Sequence, residues 1–301
     1  MIKSIFRLYP GLFAAFFLIT SCGGNKSGES VDTSRVQEFS EELVDFNEST
    51  PSSDPTLMVA ETENTEKNIP PGVQALTRAY PDFIKGYENG EVIFSDGSRM
   101  IYDDGRQKGF TEMLDNSSLK DMFYVPYNGH DKEPEYLNDA GRSRNEVLFK
   151  KMYGSSQSEV SKKLVPVEWF GQRVQFTPVN GAAENLKKAS QELAQYPEFR
   201  KYLKSSGSFY WRNVRRANRL SAHSYGIAID LGVDQSDYWL WKFPKAGEED
   251  KITYYNRFPK EIAAIMEKYG FIWGGGWYHF DTMHFEYRPE ILEYAKIYSK
   301  Q

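Results

Sequence analysis

The spacing of hydrophobic and polar residues predicts several helices in this chain. Apolar side chains that recur every three to four residues are typical of helices that bury one face. The segments with this period are 145–153, 182–203 and 259–269. Two residues indicate helix ends, because Pro197 can break the second helix and Gly270 suits the position just after the third.

Runs of β-branched and aromatic residues predict strands elsewhere in the chain. These runs occupy 91–94, 99–102, 165–170, 173–177, 227–231 and 283–287. The first two flank a short loop with Gly97, which is typical of a β-hairpin. Helices and antiparallel strands in this order indicate an α+β fold, in which helices pack on a small antiparallel sheet.

The N-terminal residues have the pattern of a secretory signal. Lys3 and Arg7 precede an apolar run over 12–19 that is too short to span a bilayer as a helix. Cys22 follows, and Ile19-Thr-Ser-Cys22 resembles the lipobox of bacterial lipoproteins. A plain secretory signal with a chance cysteine is the alternative. We predict a lipoprotein signal peptide over 1–22, lipidation of Cys22, and attachment to the extracytoplasmic (periplasmic or cell-surface) side of a bacterial membrane.

The net charge of −5 is concentrated in one segment of the 301 residues. Residues 23–70 contain eleven acidic and three basic residues, and few aromatic ones. Such a segment cannot bury enough apolar surface to offset its ordering entropy, so we predict a disordered acidic tether. An aromatic, turn-rich region over 71–174 is expected to pack on a core domain over 175–301. The nearly neutral remainder argues against nucleic acid as a partner.

Two short segments of the predicted core domain combine histidines with carboxylates. His223 lies seven residues before Asp230, and His284 lies between Asp281 and Glu286. Two imidazoles and one carboxylate form a ligand set that leaves one zinc position open, as catalytic zinc sites do. The single cysteine, Cys22, excludes both a disulfide within the chain and a cysteine-based metal site.

Strand alternation places His284 and Glu286 on one face of the predicted strand 283–287. Glu286 is then expected to orient His284 or to form a salt bridge, rather than to catalyse. Asp281 falls in the turn before the strand, where alternation alone does not direct it toward a metal. Taken singly, each motif is also consistent with a buried structural histidine. His279 is either a donor to substrate or an exposed side chain.

Three segments of the sequence together resemble the VanY-like zinc peptidases. They are 212–230 with its Ser-x-His-x-x-Gly-x-Ala-x-Asp pattern, 273–277 with Trp-Gly-Gly-Gly-Trp, and 281–286 with Asp-x-x-His. That family includes D-alanyl-D-alanine carboxypeptidases and phage endolysins that cut the L-alanyl-D-glutamate bond of peptidoglycan. The resemblance covers about residues 175–290 and implies a fold like that of Hedgehog and the D,D-peptidases.

The resemblance also implies roles for individual residues. A Zn²⁺ ion would be held by His223, Asp230 and His284, with Asp281 as the general base. Arg212 would polarise the scissile carbonyl, although Arg215, Arg216 and Arg219 lie close in sequence as alternatives. The expected substrate contacts are Ser221, Tyr225 and Trp277. One departure is Gly276, where the family pattern leads us to expect an acidic residue.

The predicted function is hydrolysis of peptidoglycan stem peptides by a lipid-anchored zinc peptidase. Removal of a terminal D-alanine, as in a D-alanyl-D-alanine carboxypeptidase, is the first expectation. An endopeptidase of the L-alanyl-D-glutamate type is one alternative. The other is a non-catalytic module on the same fold that binds cell wall or a protein.

Overall fold

The structure, a computed structural model, describes residues 69–300 of the chain. The predicted signal peptide, the lipidation site at Cys22 and the acidic tether lie outside these residues, apart from the last two positions of the tether, and stay predictions. None of the helices in the described part is long and apolar enough to cross a membrane.

Helices and strands alternate irregularly along residues 69–300. The α-helices are α1 (Pro71–Ala79), α2 (Phe110–Asp115), α3 (Glu146–Tyr153), α4 (Gln157–Lys163), α5 (Ala182–Leu193), α6 (Trp239–Lys242), α7 (Lys260–Lys268) and α8 (Pro289–Tyr298). The strands are β1 (Ile84–Glu88), β2 (Glu91–Phe94), β3 (Arg99–Ile101), β4 (Val165–Trp169), β5 (Gln172–Phe176), β6 (Ser205–Gly207), β7 (Ala228–Leu231), β8 (Phe271–Trp273) and β9 (His284–Tyr287).

The strands form three antiparallel sheets, which confirms the predicted α+β class. Strands β1 to β3 form a meander, β4 and β5 form a hairpin, and the third sheet has the order β6-β7-β9-β8. In this third sheet Asp230 of β7 lies directly opposite His284 of β9, and Ala228 lies opposite Glu286. Residues two apart share a face of a strand, so the pairing brings the two sequence motifs together on one face.

Local sequence signals explain where the helices begin and end. The Asn145 side chain accepts a hydrogen bond from the Leu148 backbone N–H and so caps α3. Helix α7 ends just before Gly270, which has a φ of 87° that glycine adopts without strain. The predicted helix over 182–203 is shorter than expected: α5 ends at Leu193, and a separate 3₁₀ turn begins at Pro197. Proline cannot donate the backbone hydrogen bond that would continue the helix.

One hydrophobic core takes residues from both sides of the predicted boundary at residue 174. Leu76 and Phe149 belong to it together with Ile229 and Phe285 of the central strands, and all four are fully buried. Trp277 also links the parts of the chain before and after residue 174, because its indole Nε1 donates to the carbonyl oxygen of Ala140 at 2.7 Å. The segment around residue 140 is therefore held against the sheet that carries both motifs.

Candidate metal centre and its pocket

Three side chains from the two motifs meet above the paired strands. His223 comes from a 3₁₀ turn over Ala222–Tyr225, and Gly226 ends that turn with a φ of 66°. The Nε2 atom of His223 lies 3.2 Å from Nδ1 of His284 and 3.3 Å from Oδ1 of Asp230. The His284 and Asp230 atoms are 3.0 Å apart. These three groups could hold a metal ion.

The second nitrogen of each histidine has its own partner away from this cluster. Nδ1 of His223 donates to the backbone carbonyl of Ser208 at 2.7 Å. Nε2 of His284 lies 3.0 Å from Oε1 of Glu286, which accepts its proton. These contacts assign the tautomers, and they leave a lone pair on the nitrogen that each neutral ring presents to the cluster. The alternation that placed His284 and Glu286 on one face therefore yields a direct hydrogen bond.

Three acceptor atoms this close together require a cation or a proton among them. Burial lowers the pKa of His284, but its hydrogen bonds and charge interactions with Asp230 and Glu286 raise it to about 10, so the surroundings of this cluster favour a positive charge. The pKa of Asp230, which burial would raise, is held well below its usual range by His223 and His284. A divalent ion would satisfy the same acceptors without protonating the ligand nitrogen.

Glu286 belongs to a buried ion-pair network below the candidate ligands. Its carboxylate contacts Arg144 at 3.0 Å and Arg288 at 3.1 Å. Arg288 in turn contacts Glu290, which accepts a hydrogen bond from Tyr80. Burial opposes ionisation of Glu286, yet the charges of Arg144, His284 and Arg288 keep its pKa well below the usual range. Glu286 is therefore an ionised acceptor that fixes the ring of His284.

Asp281 is the carboxylate near the cluster that has an atom without a partner. It lies in the turn before β9, where a backbone bridge to Tyr238 holds it. Its Oδ1 atom is buried and has no hydrogen-bond partner among residues 69–300. Burial raises the pKa of the Asp281 carboxyl to about 7, although the charge of His284 works against this. A carboxyl in this state can exchange protons near neutral pH.

A pocket of about 480 Å³ contains the candidate ligands and Asp281. Three further residues predicted from sequence also line it: Arg212, Ser221 and Trp277. Arg212 is exposed, but its backbone is fixed because its N–H donates to the Ser224 hydroxyl at 3.0 Å.

The alternatives to Arg212 differ in position. Arg215 and Arg219 line the pocket as well. Arg216 does not, and its guanidinium donates to the carbonyl of Pro244.

Tyr225 lies elsewhere than expected for a substrate contact. It is 1% exposed, packs on the rings of Phe149 and Tyr153, and is absent from the pocket lining. Its position is explained by the 3₁₀ turn, which directs His223 toward the cluster and Tyr225 into the core. The expectation that Tyr225 binds substrate is thereby corrected to a packing role.

The glycine at 276 is explained by a side chain from the N-terminal part of the chain. A Cβ atom at Gly276 would lie 3.2 Å from the Tyr127 ring and 3.3 Å from the carbonyl oxygen of Gly129. Tyr127 also donates to Glu267 at 2.7 Å and accepts from the Trp273 backbone N–H at 3.0 Å. This fixed tyrosine occupies the space that a larger residue at 276 would need.

A second cluster of histidine and carboxylates lies beside the first. Nδ1 of His279 is 2.6 Å from Asp139, and Arg142 contacts Asp139 at 2.7 Å and Glu248 at 2.8 Å. His279 is 1% exposed, so the alternative of an exposed side chain is wrong. Its Nε2 atom is buried without a partner among the described residues, and the side chain lines the pocket.

Sequence reasoning missed the buried arginines that line the pocket from outside the two motifs. Arg142 is 7% exposed and Arg144 is 6% exposed. Both come from the loop before α3, in the sequence Asp-Ala-Gly-Arg-Ser-Arg over 139–144. A charged run within an aromatic region could have indicated these arginines, because arginine is rarely buried unless an acidic partner such as Asp139 is close.

The fold and these contacts define a class of site: a pocket beside an antiparallel sheet, with three side chains that could hold a metal and a carboxylate free for proton transfer. A sequence model of the family described as D-alanyl-D-alanine carboxypeptidase matches residues 215–287. This range includes β7, β9 and the three candidate ligands, and the match supports the resemblance to the VanY-like family. Arg212 and the loop 139–144 lie outside it. No curated protein and no solved structure matches the chain.

Proposed function

We propose that the chain is a zinc peptidase that removes the terminal D-alanine from peptidoglycan stem peptides. The observation that carries this proposal is the meeting of His223, Asp230 and His284 in one pocket with the unpartnered carboxylate of Asp281. A module that only binds peptide has no need of a buried carboxylate whose free oxygen faces no partner.

Zinc fits the donors that are present. Ligands at 2.0–2.1 Å in tetrahedral geometry are about 3.3–3.4 Å apart. The three donor atoms are separated by 3.0–3.3 Å, and each histidine has a fixed partner for its second nitrogen. Nitrogen and carboxylate ligands suit zinc, and three protein ligands leave one position open.

When bound in such a site, zinc supplies a nucleophile at neutral pH by making a water molecule more acidic. The protein residues around it have separate tasks. The Asp281 carboxylate can accept the proton of the attacking water and deliver it to the leaving amine. Arg212, exposed at the pocket, can donate to the carbonyl oxygen as negative charge develops there. Glu286 holds His284 in the required tautomer.

The direct test is incubation of the full chain, loaded with one zinc equivalent, with a stem pentapeptide that ends in D-Ala-D-Ala. Mass spectrometry of the products should show loss of one alanine. Separated stem fragments would replace the carboxypeptidase proposal by an endopeptidase. Absence of any product, from protein with confirmed zinc content, would contradict the peptidase proposal itself.

The matched variant for this test is Asp281→Asn, which keeps the size of the side chain. We expect it to retain stoichiometric zinc and to lose activity by about 10²–10⁴-fold, the range that general acid–base groups supply. Zinc content by elemental analysis and initial rates on the same peptide measure both quantities. Unchanged rates would remove Asp281 from the mechanism.

A further inference from the structure

Three buried arginines lie together in the wall of the pocket. Arg142, Arg144 and Arg219 line it, and their exposed fractions are 7%, 6% and 3%. Their proximity has an electrostatic effect: burial first, and then the charges of Arg142 and Arg144, lower the pKa of Arg219 to about 10. Like charges crowded in a buried wall are stabilised by an anion.

The acidic partners of these arginines leave some of the guanidinium donors free. Arg144 contacts Glu286, and Arg219 contacts Asp115, in each case through Nη1. The Nε atoms of Arg144 and Arg219 are both buried and have no hydrogen-bond partner among residues 69–300. Arginine carries donors and no acceptors, so these positions require an acceptor.

The carboxylates that line the same pocket are already assigned to other tasks. They are Asp230, Asp281 and Glu286. Asp230 belongs to the metal cluster, Asp281 is the proposed base, and Glu286 is bound to His284 and two arginines. Asp115, Asp139 and Glu248 do not line the pocket. The wall of the pocket therefore contains buried cationic donors that lack an acceptor among the described residues.

We propose that Arg219, supported by Arg144, binds a carboxylate of the substrate and so determines specificity. This assignment rests on the proposed function, because it takes a stem peptide as the substrate. Two carboxylates of such a peptide have the required chemistry: that of the terminal D-alanine and that of the D-glutamate residue. Planar guanidinium groups favour carboxylates because two N–H groups can donate in parallel.

The test measures binding of three peptides to the zinc-loaded full chain by calorimetry, in the Asp281→Asn background to suppress turnover. The peptides are the free acid, its C-terminal amide, and the free acid in which the α-carboxylate of the γ-linked D-glutamate residue is converted to an amide. We expect one amidated peptide to bind about 10- to 100-fold more weakly than the acid, as for loss of a hydrogen bond to a charged group. Arg219→Gln should weaken binding of the free acid by a similar factor and leave the affinity for that amidated peptide unchanged. The peptide that is insensitive to the variant identifies which carboxylate Arg219 binds.

Arg216→Gln is the matched control, because Arg216 lies in the same segment but does not line the pocket. It should leave all three affinities unchanged. Arg219→Lys keeps a charge near Asp115 but lacks Nε, so it should show an intermediate loss and serves if the glutamine variant does not fold.

The proposal is overturned if Arg219→Gln weakens all three peptides equally, or if no peptide binds. Failure of the proposed function is a separate result. A wild-type protein that cleaves nothing but binds the acid through Arg219 supports the subsite and contradicts the peptidase. A protein that cleaves the peptide but binds the free acid and both amidated peptides equally well supports the peptidase and contradicts the subsite.

Discussion

Two neighbouring clusters combine histidine with carboxylates, and both contribute a histidine to the pocket lining. The clusters differ in whether an arginine lies between their side chains. His223, Asp230 and His284 bring three ligand atoms together with no arginine or lysine side chain of residues 69–300 among them. In the second group, Asp139, Glu248 and His279, one ligand atom from each side chain also lies within 4.8 Å of the others. There the guanidinium of Arg142 contacts both carboxylates. An arginine already supplies the positive charge that a metal would bring.

The difference shows that residue type and distance do not by themselves define a metal site. What separates the clusters is the partner of each remaining atom. In the first, Ser208 and Glu286 take the outward protons of the two rings, so both inner nitrogens are free to bind a metal. In the second, Nδ1 of His279 already donates to Asp139, and the carboxylates are bound by Arg142. We therefore expect metal at the first cluster only.

The largest expected effect comes from removing one histidine of each cluster in turn. His284→Ala should reduce bound zinc to background and abolish hydrolysis, because two protein ligands rarely hold a catalytic zinc. His279→Ala should retain one equivalent of zinc, measured by elemental analysis after dialysis. Equal metal loss in the two variants would show that the clusters are not distinguished by Arg142, as we infer.

The next effect concerns stability and tests the ion-pair character of the second cluster. Arg142→Met removes the cation and leaves Asp139 and Glu248 without it. Breaking a buried pair in this way costs about 3–5 kcal/mol of unfolding free energy. Arg99→Met is the matched control, because the contact of Arg99 with Glu88 is exposed and such pairs add little to stability. Urea unfolding of both variants measures the difference.

A cost for Arg142→Met no greater than that for Arg99→Met would contradict the role of Arg142 as the resident cation. Metal content provides the second half of the test. Zinc bound by the wild type should stay at one equivalent in Arg142→Met, since none of the three candidate ligands contacts this arginine. A gain of a second zinc equivalent would instead support a metal site that Arg142 merely occupies.

The first cluster was predictable from sequence because each motif has a local pattern and the resemblance to the VanY-like peptidases joins the two motifs. Strand alternation placed His284 and Glu286 on one face, and Gly226 indicated the turn that allows His223 to approach β7. The pairing of Asp230 with His284 required only that two predicted strands be neighbours. Asp281 was less predictable, because its position depends on a backbone bridge to Tyr238. The spacing of hydrophobic residues in the sequence does not predict this bridge.

The second cluster was not predictable because its contacts join distant parts of the chain. Arg142 meets Glu248 across more than a hundred residues, and Asp139 meets His279 across 140. Irregular loops have no hydrophobic period from which such pairs can be inferred. Tyr225 was misplaced for a different reason: the local 3₁₀ turn over Ala222–Tyr225 determines which side chain faces the pocket.

The smallest of these effects tests how the metal cluster depends on its outer partner. Glu286→Gln keeps an acceptor for Nε2 of His284 but removes the negative charge that makes the ring a better ligand, so we expect zinc affinity to fall about 10- to 100-fold. Glu290→Gln is the matched control: Glu290 contacts Arg288 and Tyr80, and not His284, so its variant should keep the wild-type affinity. Competition with a chromogenic chelator measures both dissociation constants. Equal losses would mean that the buried network acts as one unit, whereas a loss confined to Glu286→Gln would show that the direct bond to His284 prepares this cluster, unlike its neighbour, for a metal ion.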